Sequence, residues 1–280
     1  MKILIPIKQV PETNAVRMDE ATGTMIREGV DAIINPLDLY ALELGLRLRE
    51  RAGGEVVALT MGPPRAIEAL REAVAMGADH AVLLSDKAFA GSDTWATSLA
   101  LAAAIRKLAP YDLIICGERA TDGDTGQVGP GIAAWLDLPL ISYVAGVSEL
   151  TPRMIQARRL VEEGYEDLEM DLPGLITVVK EAAAPRLPTL RGKQRARRLN
   201  IPVWGPDDLG LTATQRGLVG SPTRVVKIFR PKISRQAHLV KAPDAAAAAR
   251  AAQELAAWLA SRHLLPAAAA SRAGQEVGHG

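Results

Sequence analysis

The run Cys116, Gly117, Glu118, Arg119, Ala120, Thr121, Asp122, Gly123, Asp124, Thr125, Gly126, Gln127, Val128, Gly129, Pro130 has the residue types and spacing that bind phosphate. An apolar stretch of strand length, residues 111–116, leads into it, and a helical pattern over residues 132–136 follows. Glycines let the backbone turn and approach a ligand, and a helix start offers unpaired N–H groups at the positive end of its dipole. The loop matches neither GxxxxGK[ST] nor GxGxxG, so it is neither a P-loop nor the ordinary dinucleotide fingerprint. The same residues also suit a tight strand-to-helix turn with solvated aspartates, and the loop alone does not choose between these readings. Cys116 sits in an apolar context with no basic neighbour to make it a reactive thiolate.

The elements that must hold this loop alternate regularly through residue 148. Residues 2–7 form an apolar run of strand length. Leu39, Leu42, Leu46 and Leu48 recur near helical spacing with charges between them. Residues 55–61 read as a strand closed by Gly62, Pro63 and Pro64, residues 66–76 as a helix ending at Gly77, and residues 80–84 as a strand. Ser92 or Asp93 is positioned to cap an alanine-rich helix running to Leu108. The loop's own strand and helix follow, then a strand over residues 140–144. This order predicts an α/β fold: an open, mostly parallel sheet with helices on both faces, Rossmann-like and suited to an adenine nucleotide. Ligands of such sheets lie outside the carboxyl ends of the strands. Here those ends are Pro6, Ile7 and Lys8; Asn35 and Pro36; Met61 and Gly62; Cys116 and Gly117. One crevice lined by all four is expected.

Past residue 148 the pattern changes. Residues 154–161 and 175–180 flank an acidic stretch, residues 162–167, which predicts a strand pair with a polar connection. Residues 181–242 are rich in Pro and Arg with little periodicity. A connection of that length inside a compact domain is unusual, so it reads as an extended arm lying on a partner. Asp244 caps the expected last helix, with Leu255 and Trp258 on one side, and residues 265–280 read as a disordered tail. The division is thus a nucleotide-binding domain over 1–180, an arm over 181–242, a helix over 243–264 and the tail.

Composition narrows the function. With 280 residues, 48% apolar and 4% aromatic, the chain supports one large aliphatic core. Its net charge of +1 argues against a general nucleic-acid or membrane-surface role. No apolar run reaches membrane-spanning length. A single cysteine excludes an internal disulfide framework, and His80, His238, His263 and His279 are scattered without ligand spacing, so no metal is expected. A strand pattern beginning at Lys2 leaves no secretory signal, which makes a cytoplasmic protein the expectation.

Together these residues resemble the β subunit of electron-transfer flavoproteins over residues 1–262. Ile7-Lys8-Gln9-Val10-Pro11, Ile34-Asn35-Pro36-Leu37-Asp38, Ala75-Met76-Gly77-Ala78-Asp79 and Phe89-Ala90-Gly91-Ser92-Asp93-Thr94 carry the likeness. The most specific segment is Ala157-Arg158-Arg159-Leu160-Val161-Glu162-Glu163-Gly164-Tyr165-Glu166-Asp167-Leu168, followed after four residues by Pro173-Gly174-Leu175-Ile176-Thr177. The resemblance implies a heterodimer whose α subunit carries a redox FAD in a mobile domain. The β subunit holds AMP in ordinary members and, in the electron-bifurcating branch, a second FAD that takes a hydride from NADH. Residues 122–130 resemble the bifurcating branch, because Gly126 and Gly129 would let the backbone approach a pyrophosphate. FAD is therefore the favoured cofactor and AMP the alternative. Electrons from NADH or a dehydrogenase would pass through the α-subunit FAD to a dehydrogenase or quinone-linked partner. An ATP-binding regulatory module without a redox role is the competing class, and the arm argues against it.

Carried onto this chain, the resemblance places the nucleotide at Pro6, Asn35, Pro36, Leu37, Asp38, Met61 and the loop over residues 117–128. Main-chain N–H groups of residues 124–128 would bind phosphate oxygens, with Thr125 and Gln127 as further donors. Asp122 and Asp124 would repel phosphate, so their carboxylates should turn away or cap the helix. Asn35 and Pro36 would hold an adenine or ribose edge through the backbone, or serve only as a helix-start turn. Met61 would pack on adenine or simply join the core. Pro6 departs from the family pattern, since it lacks an N–H for adenine. The basic cluster Arg191, Lys193, Arg195, Arg197 and Arg198 reads as a solvated loop by itself. By resemblance, residues 186–195 are the recognition loop that docks acyl-CoA dehydrogenases, with Leu190 as apolar anchor and Arg191, Lys193 and Arg195 steering encounter. Lys193 and Gln194 stand where apolar residues are common in AMP-type members.

Overall fold

The computed structural model describes residues 1–12, 17–18, 25–26, 32–226 and 239–264. The chain divides into two units, Met1–Ile228 and Phe229–Gly280. The first is built on a sheet of nine strands: β1 (Lys2–Pro6), β6 (Glu55–Met61), β7 (His80–Leu84), β8 (Leu113–Gly117), β9 (Leu140–Leu150), β10 (Met154–Val161), β11 (Gly164–Asp171), β12 (Gly174–Val178) and β13 (Val203–Trp204). Their order is β11-β10-β9-β12-β8-β1-β6-β7-β13. All neighbours from β9 to β13 run parallel, while β10 is antiparallel to both β9 and β11. Two small antiparallel ladders lie outside it: β2 (Gln9–Pro11) with β5 (Ala32–Ile34), and β3 (Arg17–Met18) with β4 (Met25–Ile26).

The central strands are apolar without alternation because both faces are covered. On β1, Ile3 and Ile5 join the core shared with α1 (Pro36–Ala52) and α2 (Ile67–Met76). Leu4 points the other way, into the core shared with α3 (Thr94–Lys107) and α4 (Val128–Leu136). That is the period-two alternation of a strand, each side chain meeting a helix layer. The helix ends carry the expected signals. Pro36 opens α1 with Asp38 in the first turn, Asp93 accepts from the Ala96 N–H to cap α3, and Gly77 ends α2 at positive φ. The α/β class and mostly parallel sheet are as the sequence pattern predicts.

One expectation is corrected. The acidic stretch is not a connection: it lies largely on β11, paired with β10, with a turn at Glu162 and Glu163. Asp167 stands opposite Arg158 and Glu166 opposite Arg159, and both pairs close as ion pairs at 2.8 and 2.7 Å. Cross-strand pairing of opposite charge is what lets such a polar sequence form a strand. Residues 175–178 are not its partner; they belong to β12, fully buried between β8 and β9.

The first unit continues through residue 228, because the segment beyond β12 folds back on it. Helix α5 (Leu190–Arg198) packs against α2, burying Ala196 and bringing Gly192 so close that a Cβ there would lie 2.0 Å from the Ala75 carbonyl oxygen. Strand β13 then adds to the sheet edge at β7. In the second unit Asp244 caps α6 (Ala245–Ser261) by accepting from the Ala247 N–H at 2.7 Å, and Leu255 and Trp258 are exposed. The expected tail, residues 265–280, and arm residues 227–238 lie outside the described residues.

Candidate functional site

The phosphate-loop candidate leaves β8 at Gly117 and enters α4 at Val128. Asp124 (φ 53°) and Gly126 (φ 63°) both adopt the left-handed region, which only glycine enters without strain. Among the described residues, the loop's own backbone bonds are few: Glu118 N–H donates to Val178 O and Asp124 N–H to Ala120 O. The N–H groups of residues 125–129 make no backbone bond there, and Gln127 caps α4 without a side-chain bond to it. A helix start with unspent donors is an anion site in waiting.

Neither of the two aspartates caps the helix; each is paired with a cation. Asp122 accepts from Lys8 Nζ at 2.7 Å, and Asp124 Oδ1 lies 3.1 Å from Arg119 Nε. Each carboxylate is matched by a cation, which lowers the repulsion a phosphate would meet. Gln127 accepts from Thr94 Oγ1 at 3.0 Å, tying the loop's end to the start of α3.

Beneath the loop lies a buried polar node. Asn35 is fully buried. Its side chain donates to Arg119 O at 2.9 Å and accepts from Thr121 N–H at 3.1 Å. Its backbone is committed as well: its N–H donates to Lys8 O at 2.8 Å, and its carbonyl accepts from Asp38 N–H at 2.9 Å. Asn35 is thus a brace for the loop, with no free N–H for an adenine edge. Asp38, also buried, accepts from Lys8 N–H at 2.7 Å. Burial pushes its carboxyl up to about 7, against hydrogen bonds from the Lys8 N–H, Asn35 and the Gly117 N–H that favour ionisation. The Cys116 thiol is buried and pushed up by burial and by Asp38, in keeping with an inert cysteine.

The raised Asp38 has a consequence for stability. The folded chain holds a proton there that the unfolded chain releases near the ordinary aspartate value of 3.8. Stability from this group is therefore complete below that value and is lost as pH rises through about 7, by on the order of 4 kcal/mol. Asp38→Asn is expected to flatten that part of the profile. Urea unfolding midpoints of parent and variant between pH 5 and pH 8 check it; parallel profiles would rule it out.

Beside the loop is a cleft of about 720 Å³ outside the carboxyl ends of β1, β6 and β7. Its wall includes Lys8, Val10, Met61, Arg65, Asp86, Lys87 and Phe89. Asp122 belongs to both loop and cleft, so the two adjoin. Of the residues assigned to the nucleotide, Met61 and Asp122 line the cleft, as do the strand-end residues Lys8 and Gly62. Pro6 is buried on β1 opposite Leu59, and Asn35, Leu37 and Asp38 lie behind the loop, where Gly117 packs on Asp38 and Leu37. The expected crevice thus forms at β1 and β6, while the Asn35–Pro36 and Cys116–Gly117 ends brace it from behind. Sequence reasoning missed Ser85 and Asp86, although they directly follow strand β7 and the strand-end rule reaches them. It also missed the 87–92 wall, which offers no periodic signal.

Of the recognition residues, Leu190 is 82% exposed, and Arg191 and Lys193 are exposed. Arg195 is exposed too, and its Nη2 donates to the Val74 and Ala78 carbonyls at the end of α2.

The electron transfer flavoprotein domain model matches residues 22–209. The chain belongs to the electron transfer flavoprotein family. Its relatives place it among the β subunits. It is 46% identical to the electron transfer flavoprotein subunit beta of Thermoanaerobacterium thermosaccharolyticum, over 95% of this chain and 100% of that one. It is 49% identical to the caffeyl-CoA reductase-Etf complex subunit CarD of Acetobacterium woodii, over 82% and 88% of the two chains. With the protein FixA of Azotobacter vinelandii it shares 46%, over 87% and 89%. An electron-transfer role follows, and so does the flavoprotein α-subunit partner that this family implies. Membership removes the stand-alone regulatory module from consideration. Among the described residues no helix is long and apolar enough to cross a membrane, and no group of metal-binding side chains occurs.

Proposed function

We propose that this chain holds an FAD across the glycine loop and the adjoining cleft. In a heterodimer with the flavoprotein α subunit, it passes electrons from NADH toward the α-subunit FAD and a dehydrogenase or quinone-linked partner. The observation that carries this reading is the continuity of loop and cleft through Asp122. A mononucleotide needs only the loop and its edge; a dinucleotide uses both. The cleft's volume lies within the ~300–1,000 Å³ of small-molecule sites, and its lining mixes Val10, Met61 and Phe89 with cationic Lys8, Arg65 and Lys87. The residues therefore fit an anionic cofactor with a large apolar ring.

The N–H groups of residues 125–129 would hold the phosphates, and Met61, Val10 and Phe89 would flank the ring. When bound there, a flavin supplies hydride acceptance from a nicotinamide. Lys8 and Arg119 keep the Asp122 and Asp124 charges from opposing the phosphates. Likeness to a subunit of a reductase-Etf complex supports the same reading. Flavin counting tests it: the heterodimer should carry two FAD and bleach with NADH. One FAD with one AMP, and no bleaching, would assign the site to AMP.

Leu187, in the segment between β12 and α5, and Leu190, the first residue of α5, are 85% and 82% exposed, next to Arg191 and Lys193. This segment supports a docking role for a dehydrogenase partner. Truncating an interface anchor costs about 2 kcal/mol, so Leu190→Ala should slow transfer to the partner roughly 30-fold with flavin content unchanged. Stopped-flow rates equal to the parent's would remove Leu190 from this role.

A further inference from the structure

Asp38 lies on the first turn of α1, buried, outside the cleft lining, and every group it touches leads to the glycine loop. Its Oδ2 accepts from the Lys8 N–H at 2.7 Å, and the Asn35 side chain and the Gly117 backbone lie beside it. From Asn35 the chain of contacts runs to Arg119 O and Thr121 N–H; from Lys8 it runs through Nζ to Asp122. Gly117 begins the loop itself, and a Cβ there would lie 2.3 Å from Asp38 Oδ1. The close approach explains why this position is glycine.

We propose that Asp38 is the positioning residue of the phosphate loop: its ionised carboxylate, bonded to the Lys8 N–H and packed against Asn35 and Gly117, fixes the loop geometry on which nucleotide affinity depends. This rests on the nucleotide reading of the site. An ionised carboxylate offers acceptor sites only, which suits the Lys8 N–H and the donors of Asn35 and Gly117 beside it. The acid form turns one oxygen partly over to donation and leaves fewer acceptor sites. The charged and titratable groups around Asp38 are Lys8 after β1, the Cys116 thiol on β8 and, across the Lys8 ammonium, Asp122. Its titration near neutrality makes the brace pH-dependent: tighter as pH rises.

The test uses the heterodimer with the α-subunit flavin in place, titrated with FAD as the second equivalent. FAD is chosen because the charge of its pyrophosphate diester does not change between pH 6 and pH 8. The parent should bind it several-fold more tightly at the higher pH. Asp38→Asn should bind about tenfold more weakly at the higher pH and show no pH slope. Amide exchange across residues 117–122, measured without the second flavin, should be faster in Asp38→Asn. Equal affinities and slopes overturn the proposal, as does weaker binding with rising pH in the parent, which would mark Asp38 as a repelling charge. A parent that takes up no second FAD sinks the flavin reading instead, and loop exchange then decides the brace alone: unchanged exchange overturns it. If Asp38→Asn does not assemble, the sign of the parent's own slope decides.

Discussion

Gly126→Val is expected to reduce the flavin content of the heterodimer from two to one and to abolish reduction by NADH, leaving the α-subunit flavin in place. The reason is conformational. Gly126 has φ 63°, and a β-branched residue there is a strong outlier that forces the backbone to leave this region. Steric exclusion is not the cause, since a Cβ would meet only Glu118 O at 3.5 Å and Tyr143 Oη at 3.9 Å, ordinary contacts. What moves is the direction of the N–H groups of residues 125–128, the donors proposed for phosphate. Gly129→Val is the instructive contrast: its Cβ would lie 2.8 Å from Thr177 Cγ2 on β12, so α4 must lift from the sheet and global stability falls with binding. A Gly126→Val heterodimer that keeps two flavins and bleaches with NADH would show that the loop does not hold this cofactor.

The loop was legible because its signals are local. An apolar run, closely spaced glycines and a helical pattern follow one another, and the sheet needs only that order to place the loop at a strand end. The residues under it were legible as a motif but not in their roles. Asn35 reaches Arg119 and Thr121 across more than 80 positions of sequence, and nothing local says that its side chain, rather than its backbone, does the holding. The same distance hid β11. Its acidic residues look like a loop until Arg158 and Arg159 stand opposite them. Helix α5 escaped because a single residue, Ala196, is buried on it, so no apolar period marks a helix that α2 stabilises through backbone proximity at Gly192.

Arg186→Ala should destabilise the protein by about 3 kcal/mol, the scale of removing one partner from a buried ion pair. Glu43 on α1 is almost wholly buried, with 3% of its side chain exposed. Burial works to raise its carboxyl, yet hydrogen bonds from Arg186 and Arg47 prevail and hold it below the usual range. Arg186 grips Glu43 at 2.7 Å and Glu50 at 2.5 Å, and its own N–H also donates to Glu43 at 3.1 Å. Removing it leaves Glu43 with Arg47 alone, 2.6 Å away. Because the pair depresses the Glu43 carboxyl, its stabilisation is present above pH 4.5 and is lost as pH falls through the folded value, so the Arg186→Ala deficit should shrink in acid. A double-mutant cycle with Glu43→Gln should couple by roughly 1–3 kcal/mol, and strict additivity would reject the clasp. The effect should also reach function. Arg186 fastens one end of the exposed Leu187–Leu190 stretch to α1, while the Thr189 N–H, bonded to Ala75 O at 3.3 Å, fastens the other to α2. With one end released, docking should weaken even though both leucines remain, and flavin content should not change. Leu190→Ala removes the anchor without loosening the strap, so only Arg186→Ala should lower both stability and transfer rate.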